Sequence, residues 1–425
     1  MNLDRRTFLQ LLATAPWLAT ANAAANAPAR TAARTARKVR KVIVVWLDGG
    51  LSHLDSFDGK PDAPPDVRGD VPIVRADVDG VFLGEPLRRL ATRMRRCALV
   101  RSISHGEGNH DRGTHLLLTG HRPSPVLVHP SIWSATALDA PPDATLPPYV
   151  VVPDVPDYGG AGFLPAACEP FATGGEPHRA DFRVPNLAAG AGNERIDELV
   201  RTLDELDGAP RSQAEVDRDR LRRRAAALSS QPQMREVFDV RREPAARRQQ
   251  FGAHKLGQSC LLALRLAKAG VGTVLVRDTG WDHHVGIHRA LTYGFPPKLT
   301  QIDEAISALL DALRDDGLED DVTVCLASEF GRTPRLNPAG GRDHWPRAQS
   351  VLLFGGGVRA GVVVGATDAR GEEPATDAVT PADLCATLLT LRGADLTRVL
   401  STSDGRPVRL VAEGATPIAG VLRDA

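Results

Sequence analysis

Val42-Ile43-Val44-Val45-Trp46-Leu47-Asp48-Gly49-Gly50-Leu51-Ser52-His53-Leu54-Asp55 is the stretch that fixes the class of fold. Its first half is a run of β-branched and large apolar residues, the pattern of a strand buried on both faces. The run stops at Asp48, and Gly49-Gly50 lets the backbone turn sharply without a Cβ penalty. Ser52, His53 and Asp55 follow at once. In an open parallel sheet, ligands gather at the carboxyl ends of strands, so Asp48 is placed for a metal or a phosphate-like group. An N-cap would ask for the same residue type, and this stretch alone leaves both readings open.

The pattern repeats outward from there. Asp58 to Gly80, rich in Pro, Asp and Gly, predicts a surface loop. Glu85 to Arg96 has helical spacing and leads into a second strand, Ala98 to Ile103. His105, Asn109, His110, Asp111, Arg112 and His115 follow, and Gly120 is a natural helix stop, so a short helix is expected over 110–119. Its amino terminus meets the strand end, a place that favours an oxyanion. Tyr149 to Val152 reads as another strand, 153–193 as loop, and 193–250 as a charged helical insertion or lid. His254 to Ala269 is an amphipathic helix before the strand Gly272 to Arg277. The third cluster is Asp278, Asp282, His283 and His284, with His288 beyond it. Ile302, Ile306, Leu309 and Leu313 make the apolar stripe of a helix over 299–313. The strand 321–327 ends in Ser328, Glu329, Arg332 and Arg335, and Asp343 and His344 close that cluster. Ser350 to Phe354 is the last clear strand. Strand alternating with helix is the α/β pattern, a mostly parallel central sheet flanked by helices.

Across 425 residues, Lys+Arg 52 balances Asp+Glu 52, which gives no pointer to nucleic acid or to an anionic membrane as partner. Cys97, Cys168, Cys260, Cys325 and Cys385 are scattered and never spaced as CxxC, against both a disulfide framework and a structural zinc knot. Arg5-Arg6-Thr7-Phe8-Leu9 precedes an apolar stretch from Leu11 to about Ala21, and Ala21-Asn22-Ala23 offers a cleavage site. Residues 1–23 are therefore expected to be a signal peptide resembling the twin-arginine type, followed by a flexible lead-in over 24–38. The apolar stretch is interrupted by Pro16 and shorter than the roughly 20 residues that span a bilayer. The expectation is a periplasmic or secreted protein without a membrane span, handled on export by the twin-arginine translocase.

His53, His105, His110, His115, His283, His284, His288 and His344 lie in or beside the four clusters, each at a predicted strand end. Imidazoles with carboxylates and no thiolates suit a divalent metal with an open position, zinc or manganese first, with calcium and magnesium remaining open. Two such ions would clamp the attacking and leaving oxygens of a displacement. Arg112, Arg332 and Arg335 would suit a hold on phosphate, sulfate or carboxylate. Each member also has a structural reading: Asp278 as a turn cap, Arg332 as the partner of Glu329, His115 and His288 as exposed helix residues.

The stretches WLDGGLSHLDSFDGKPDAP, RSISHGEGNHDRGTHLLLTG, GWDHH, SEFGRTPRLN and GRDHWP, in this order, resemble the bacterial family catalogued as domain of unknown function 1501. The likeness covers nearly all of the chain from about 40 to 400, and implies a domain over 39–410 of the alkaline-phosphatase/sulfatase-like superfamily. It implies a metal centre at the strand ends. There Asp48 resembles the first-strand metal aspartate, Asp282 and His284 the middle pair, Glu329 a late metal carboxylate and His344 the final histidine. His283 stands where the family commonly shows Thr. The segment from His110 to Gly120 resembles the sulfatase stretch that begins at the nucleophile, yet that position holds Asn109 or His110 and no Ser, Thr or Cys. Three readings follow. One is a hydrolase of phosphate or sulfate esters, its attack made by water activated at the metal or with His110 as nucleophile or general acid. The second is a metal-bearing, non-hydrolytic protein of the cell envelope that binds anions or sulfated or phosphorylated glycans. The third is a structural envelope component.

Overall fold

The computed structural model describes residues 40–423, apart from 142–143, 186, 294–296 and most of 188–231. The signal peptide and lead-in expected over 1–38, and most of the insertion expected over 193–250, lie outside the described residues. At the end of that insertion, Pro232–Phe238 and Ala245–Gln250 are helical.

Eight strands form the central sheet: β1 (Lys41–Asp48), β2 (Cys97–Ile103), β3 (Tyr149–Val152), β4 (Phe171–Ala172), β5 (Thr273–Thr279), β6 (Val322–Ala327), β7 (Gln349–Gly355) and β8 (Val362–Val364). Their order is β8-β2-β7-β6-β1-β5-β3-β4. β1 is central and pairs in parallel with β5 on one side and β6 on the other. β7 alone runs against its neighbours β2 and β6. That reversal matters for the site. An antiparallel partner can be reached without a crossover, so the chain leaves the end of β6 and returns to the start of β7 at the same edge of the sheet. The excursion 328–348 therefore stays beside the carboxyl end of β1.

Alternation along β1 sends Ile43, Val45 and Leu47 to one face and Val42, Val44 and Trp46 to the other, and all six are buried. On the first face lie α2 (Lys255–Ala269) and α3 (Lys298–Asp315). The predicted stripe of α3, Ile302, Ile306, Leu309 and Leu313, is buried there, each side chain contributing about 1.5–3 kcal/mol. The second face is covered by α1 (His110–Thr119), by Ile132 and Trp133, and by α4 (Pro381–Arg392). α1 keeps its predicted limits because Asn109 caps its start and Gly120, at φ 72, ends it in the left-handed region. Ile418 and Val421 are buried against the same core.

Three expectations need correction. The segment 153–193 is not loop throughout, since Phe171–Ala172 pairs with β3 as β4. Ser350–Phe354 is not the last strand, since β8 follows it. The segment 58–80 is not a plain surface loop: Asp58, Val67 and Val71 are buried, and Ile73–Arg75 pairs with Phe82–Gly84. Its polarity misled because its apolar residues are few and point inward, and one charge is buried with them, Asp58 Oδ1 lying 3.1 Å from Lys60 and 3.4 Å from Arg101. All five cysteines are free and buried, and burial pushes the Cys325 thiol up to about 12. Among the described residues no helix is long and apolar enough to cross a membrane.

Candidate metal centre

Asp48 ends β1, and the turn after it needs both glycines: Gly49 has φ 123 and Gly50 φ 84. A Cβ on Gly49 would stand 2.6 Å from the Asp282 backbone nitrogen, so the absent side chain is what lets the loop after β5 press against the end of β1. The turn is tied to β6 as well. Gly49 N–H donates to Glu329 Oε1 at 2.9 Å, and Leu51 N–H to Ser328 Oγ at 3.0 Å.

Arg332 binds these pieces together. Its guanidinium is fully buried and donates to the carbonyls of Gly49, Gly50 (3.0 Å) and Arg342 (3.1 Å) and to Asp282 Oδ1 at 2.6 Å. Burial alone would raise the Asp282 carboxyl, but this bond and the nearby Arg332, His284 and His110 outweigh it and hold the pKa at about 2. The short antiparallel pair Gly331–Arg332 and His344–Trp345 sets His344 beside Arg332.

Asp282 Oδ1 lies 2.9 Å from His284 Nε2 and 3.3 Å from His344 Nε2. The two imidazole nitrogens are themselves 3.0 Å apart. The far side of each ring is engaged: His284 Nδ1 lies 2.7 Å from Asp343 Oδ1, and His344 Nδ1 lies 2.7 Å from the Gly108 carbonyl. Both partners are acceptors, which favours a proton on each Nδ1 and would leave the Nε2 atoms, which face Asp282, to a cation. Burial lowers the His344 pKa, which keeps that ring neutral near pH 7.

The first residue of α1 supplies the fourth side. His110 Nδ1 lies 2.6 Å from Glu329 Oε1, and its Nε2, buried and without a hydrogen-bond partner, lies 3.5 Å from Asp282 Oδ2. The Glu329 bond raises the His110 pKa against the opposing effect of burial. Suitable donor atoms of His110, Asp282 and His344 all lie within 4.8 Å of one another.

The fold thus brings Asp48, His110, Asp282, His284, Glu329, Arg332 and His344 to one strand-end cluster. It does not bring Arg112, which is exposed and bound to Glu107 at 2.6 and 3.0 Å. Asn109 serves as the α1 cap, its side chain accepting from Arg112 N–H at 3.2 Å. Arg335 is exposed and paired with Asp66. Asp278 faces the other side of the sheet, where Trp281 Nε1 and Lys298 Nζ hold it at 2.9 and 3.1 Å. His53 and His105 bond the carbonyls of Gly371 and Glu329, and His115 is buried against His121, where an exposed position had been the structural alternative. Arg332 pairs with Asp282, not with Glu329.

One resident was not foreseen. Arg277 of β5 donates from Nε to Asp48 Oδ2 at 2.7 Å, its second nitrogen lies 2.5 Å from the same oxygen, and the third binds Asp154. Burial raises the Asp48 carboxyl, and the Arg277 bond offsets that only in part. The signal was the register. Arg277 lies opposite Trp46 in the parallel pair, and Trp46 and Asp48 share a face of β1.

The donor set fits a divalent cation. Two imidazole nitrogens and a carboxylate oxygen converge within hydrogen-bond distance of one another, and the outer atoms of both imidazoles are already committed. Two neutral imidazoles and a carboxylate are a common set for zinc or manganese with an open position.

An α/β protein with a mostly parallel sheet and a histidine–carboxylate cluster at its strand ends is the class that fold and site define. The chain belongs to the family described as protein of unknown function DUF1501, whose model matches residues 39–422. No curated protein matches the chain in sequence. Among solved structures it is similar to Ps i-CgsB in complex with k-i-k-neocarrahexaose, at 11% identity and TM-score 0.39 over 84% of this chain and 72% of that one. It is similar to the lipoteichoic acid synthase LtaP from Listeria monocytogenes at 10% identity and TM-score 0.39, over 91% and 77% of the two chains. The phosphonate monoester hydrolase SpPMH from Silicibacter pomeroyi aligns at 13% identity and TM-score 0.37, over 89% and 78%.

Proposed function

We propose that the protein is an exported, metal-dependent hydrolase acting on phosphate or sulfate esters, on small anionic esters or on sulfated or phosphorylated glycans. The observation that carries the reading is the convergence of His284 Nε2, His344 Nε2 and Asp282 Oδ1, with both rings held from behind. Asp282, His284 and His344 would hold the ion, with His110 Nε2 at its edge. When bound, such an ion polarises an ester oxygen as a Lewis acid. The protein's own groups do the rest. Arg332 aims Asp282, while Asp343 and the Gly108 carbonyl orient the two rings from behind so that each Nε2 would face the ion. Glu329 holds His110 protonated to a higher pH than an ordinary histidine, which suits it to give a proton to a leaving oxygen.

The test is elemental analysis by plasma mass spectrometry of the folded protein beside an Asp282→Ala/His284→Ala variant. Bound zinc or manganese, lost in the variant, supports the centre; its absence from the wild type after reconstitution sinks it. Export is tested by fusing residues 1–38 to a reporter, whose translocation should stop on Arg5→Lys/Arg6→Lys exchange.

A second reading, a metal-bearing protein that binds anions or glycans without cleaving them, is favoured by a specific observation. The first residue of α1 is His110, and the nearby hydroxyls are engaged, Ser328 Oγ with the Leu47 carbonyl at 2.7 Å and Ser52 with Asp55. Saturable binding of sulfated glycan with no release of sulfate or phosphate would select it.

A further inference from the structure

We infer that the centre takes a single metal ion, and that Arg277 stands where a second cation would be needed, so that Asp48 pairs with a guanidinium and is not a metal ligand. The inference rests on the metal reading above and deepens it. A second ion beside the first would draw on the remaining carboxylates, Asp48 and Glu329, and each already has partners on one oxygen, Asp48 on Oδ2 and Glu329 on Oε1. Two nitrogens of Arg277 lie at 2.7 and 2.5 Å from Asp48 Oδ2, and the third nitrogen anchors the guanidinium on Asp154. Glu329 is fully buried, and its Oε1 accepts from Gly49 N–H at 2.9 Å and from His110 Nδ1 at 2.6 Å.

The Phe330 ring lies 5.0 Å from the His110 ring and 4.8 Å from the His344 ring, centroid to centroid. Among the described residues, neither Asp48 nor Glu329 joins the group of donors that close to a common point. Strand register makes the Asp48–Arg277 pair a property of the sheet. A guanidinium keeps its charge at any pH at which the protein is folded and has five donors fixed in a plane, so it neutralises this carboxylate without a coordination shell.

The experiment is metal titration of the full chain, read by isothermal calorimetry and plasma mass spectrometry, for the wild type and an Asp48→Asn/Arg277→Met double variant. One equivalent in each, with a dissociation constant changed by less than about threefold, supports the inference. Two equivalents in the wild type, or loss of the metal in the double variant, overturns it and leaves the metal reading standing. No metal in either form overturns the metal reading and this inference together. Should the double variant not fold, the wild type loaded with manganese decides by its paramagnetic resonance spectrum. The resolved hyperfine pattern of an isolated ion supports one site, and the exchange-broadened pattern of a coupled pair refutes it.

Discussion

The two halves of the site are built from the same residue types and end in different arrangements. On the β5 side, the Nε2 atoms of His284 and His344 face Asp282, and their Nδ1 atoms face Asp343 and the Gly108 carbonyl. On the β1 side, Asp48 is taken by Arg277, and Glu329 by His110, Gly49 and Ser328. Arg332 places one nitrogen on Asp282 Oδ1, whereas Arg277 places two on Asp48 Oδ2. What sets the two halves apart is therefore whether imidazole nitrogens gather on a carboxylate, and residue type alone does not report it.

The comparison breaks most severely at Arg332, which belongs to both halves. Arg332→Met would leave Asp282 and three backbone carbonyls without their donor, and removing one partner from such a buried network costs about 3–5 kcal/mol. Urea denaturation of the metal-free variant measures this, and a loss under about 1 kcal/mol would show that Arg332 does not hold the halves together. Next in size is Asp343→Ala. It frees the His284 ring to turn or change tautomer, and the expected loss is about 10–100-fold in metal affinity. Unchanged affinity in a calorimetric titration would mean that the ring is held by other contacts.

Glu329→Gln sharpens the contrast from the β1 side. The raised His110 pKa in the folded protein contributes stability that is complete below the unfolded value of about 6.5 and is lost as pH rises through the folded value. In the metal-free variant the His110 imidazole should titrate lower by NMR, and the fall of stability above pH 6.5 should flatten. A His110 titration that does not move would remove Glu329 as the cause.

The smallest effect lies in neither half. His129 stacks on His121 with ring centroids 4.2 Å apart, and burial together with His121 and His115 lowers its pKa to about 4. A depressed histidine gives stability that is present above about pH 6.5 and lost as pH falls toward 4. His129→Gln should reduce that slope by no more than about one proton and leave metal binding alone. A changed metal affinity would extend the site along α1.

The sheet was legible because its strands are short apolar runs that end in polar clusters, and α1 because Asn109 and Gly120 mark both its ends. The convergence of Asp282, His284 and His344 was legible as residue types at strand ends. Arg277 was not, since it looks like the polar end of an apolar run. Only the lateral register of β1 and β5, which no local pattern encodes, sets it on Asp48. Asp278 misled for the complementary reason: next to Arg277 in a pleated strand, it points to the opposite face. Arg112 looked like an anion clamp by its position on α1, but a local partner, Glu107, holds it at the surface.

The five buried thiols make the protein a recorder of its own opening. They sit in different layers: Cys97 on β2, Cys325 on β6, Cys260 on α2, Cys385 on α4, and Cys168 in the loop before β4. A thiol reagent reaches each one only when the structure covering it parts, so the order of modification is a timetable of local unfolding across the molecule. Because the metal cluster lies between β1, β5 and β6, loading the ion should delay Cys325 more than Cys385.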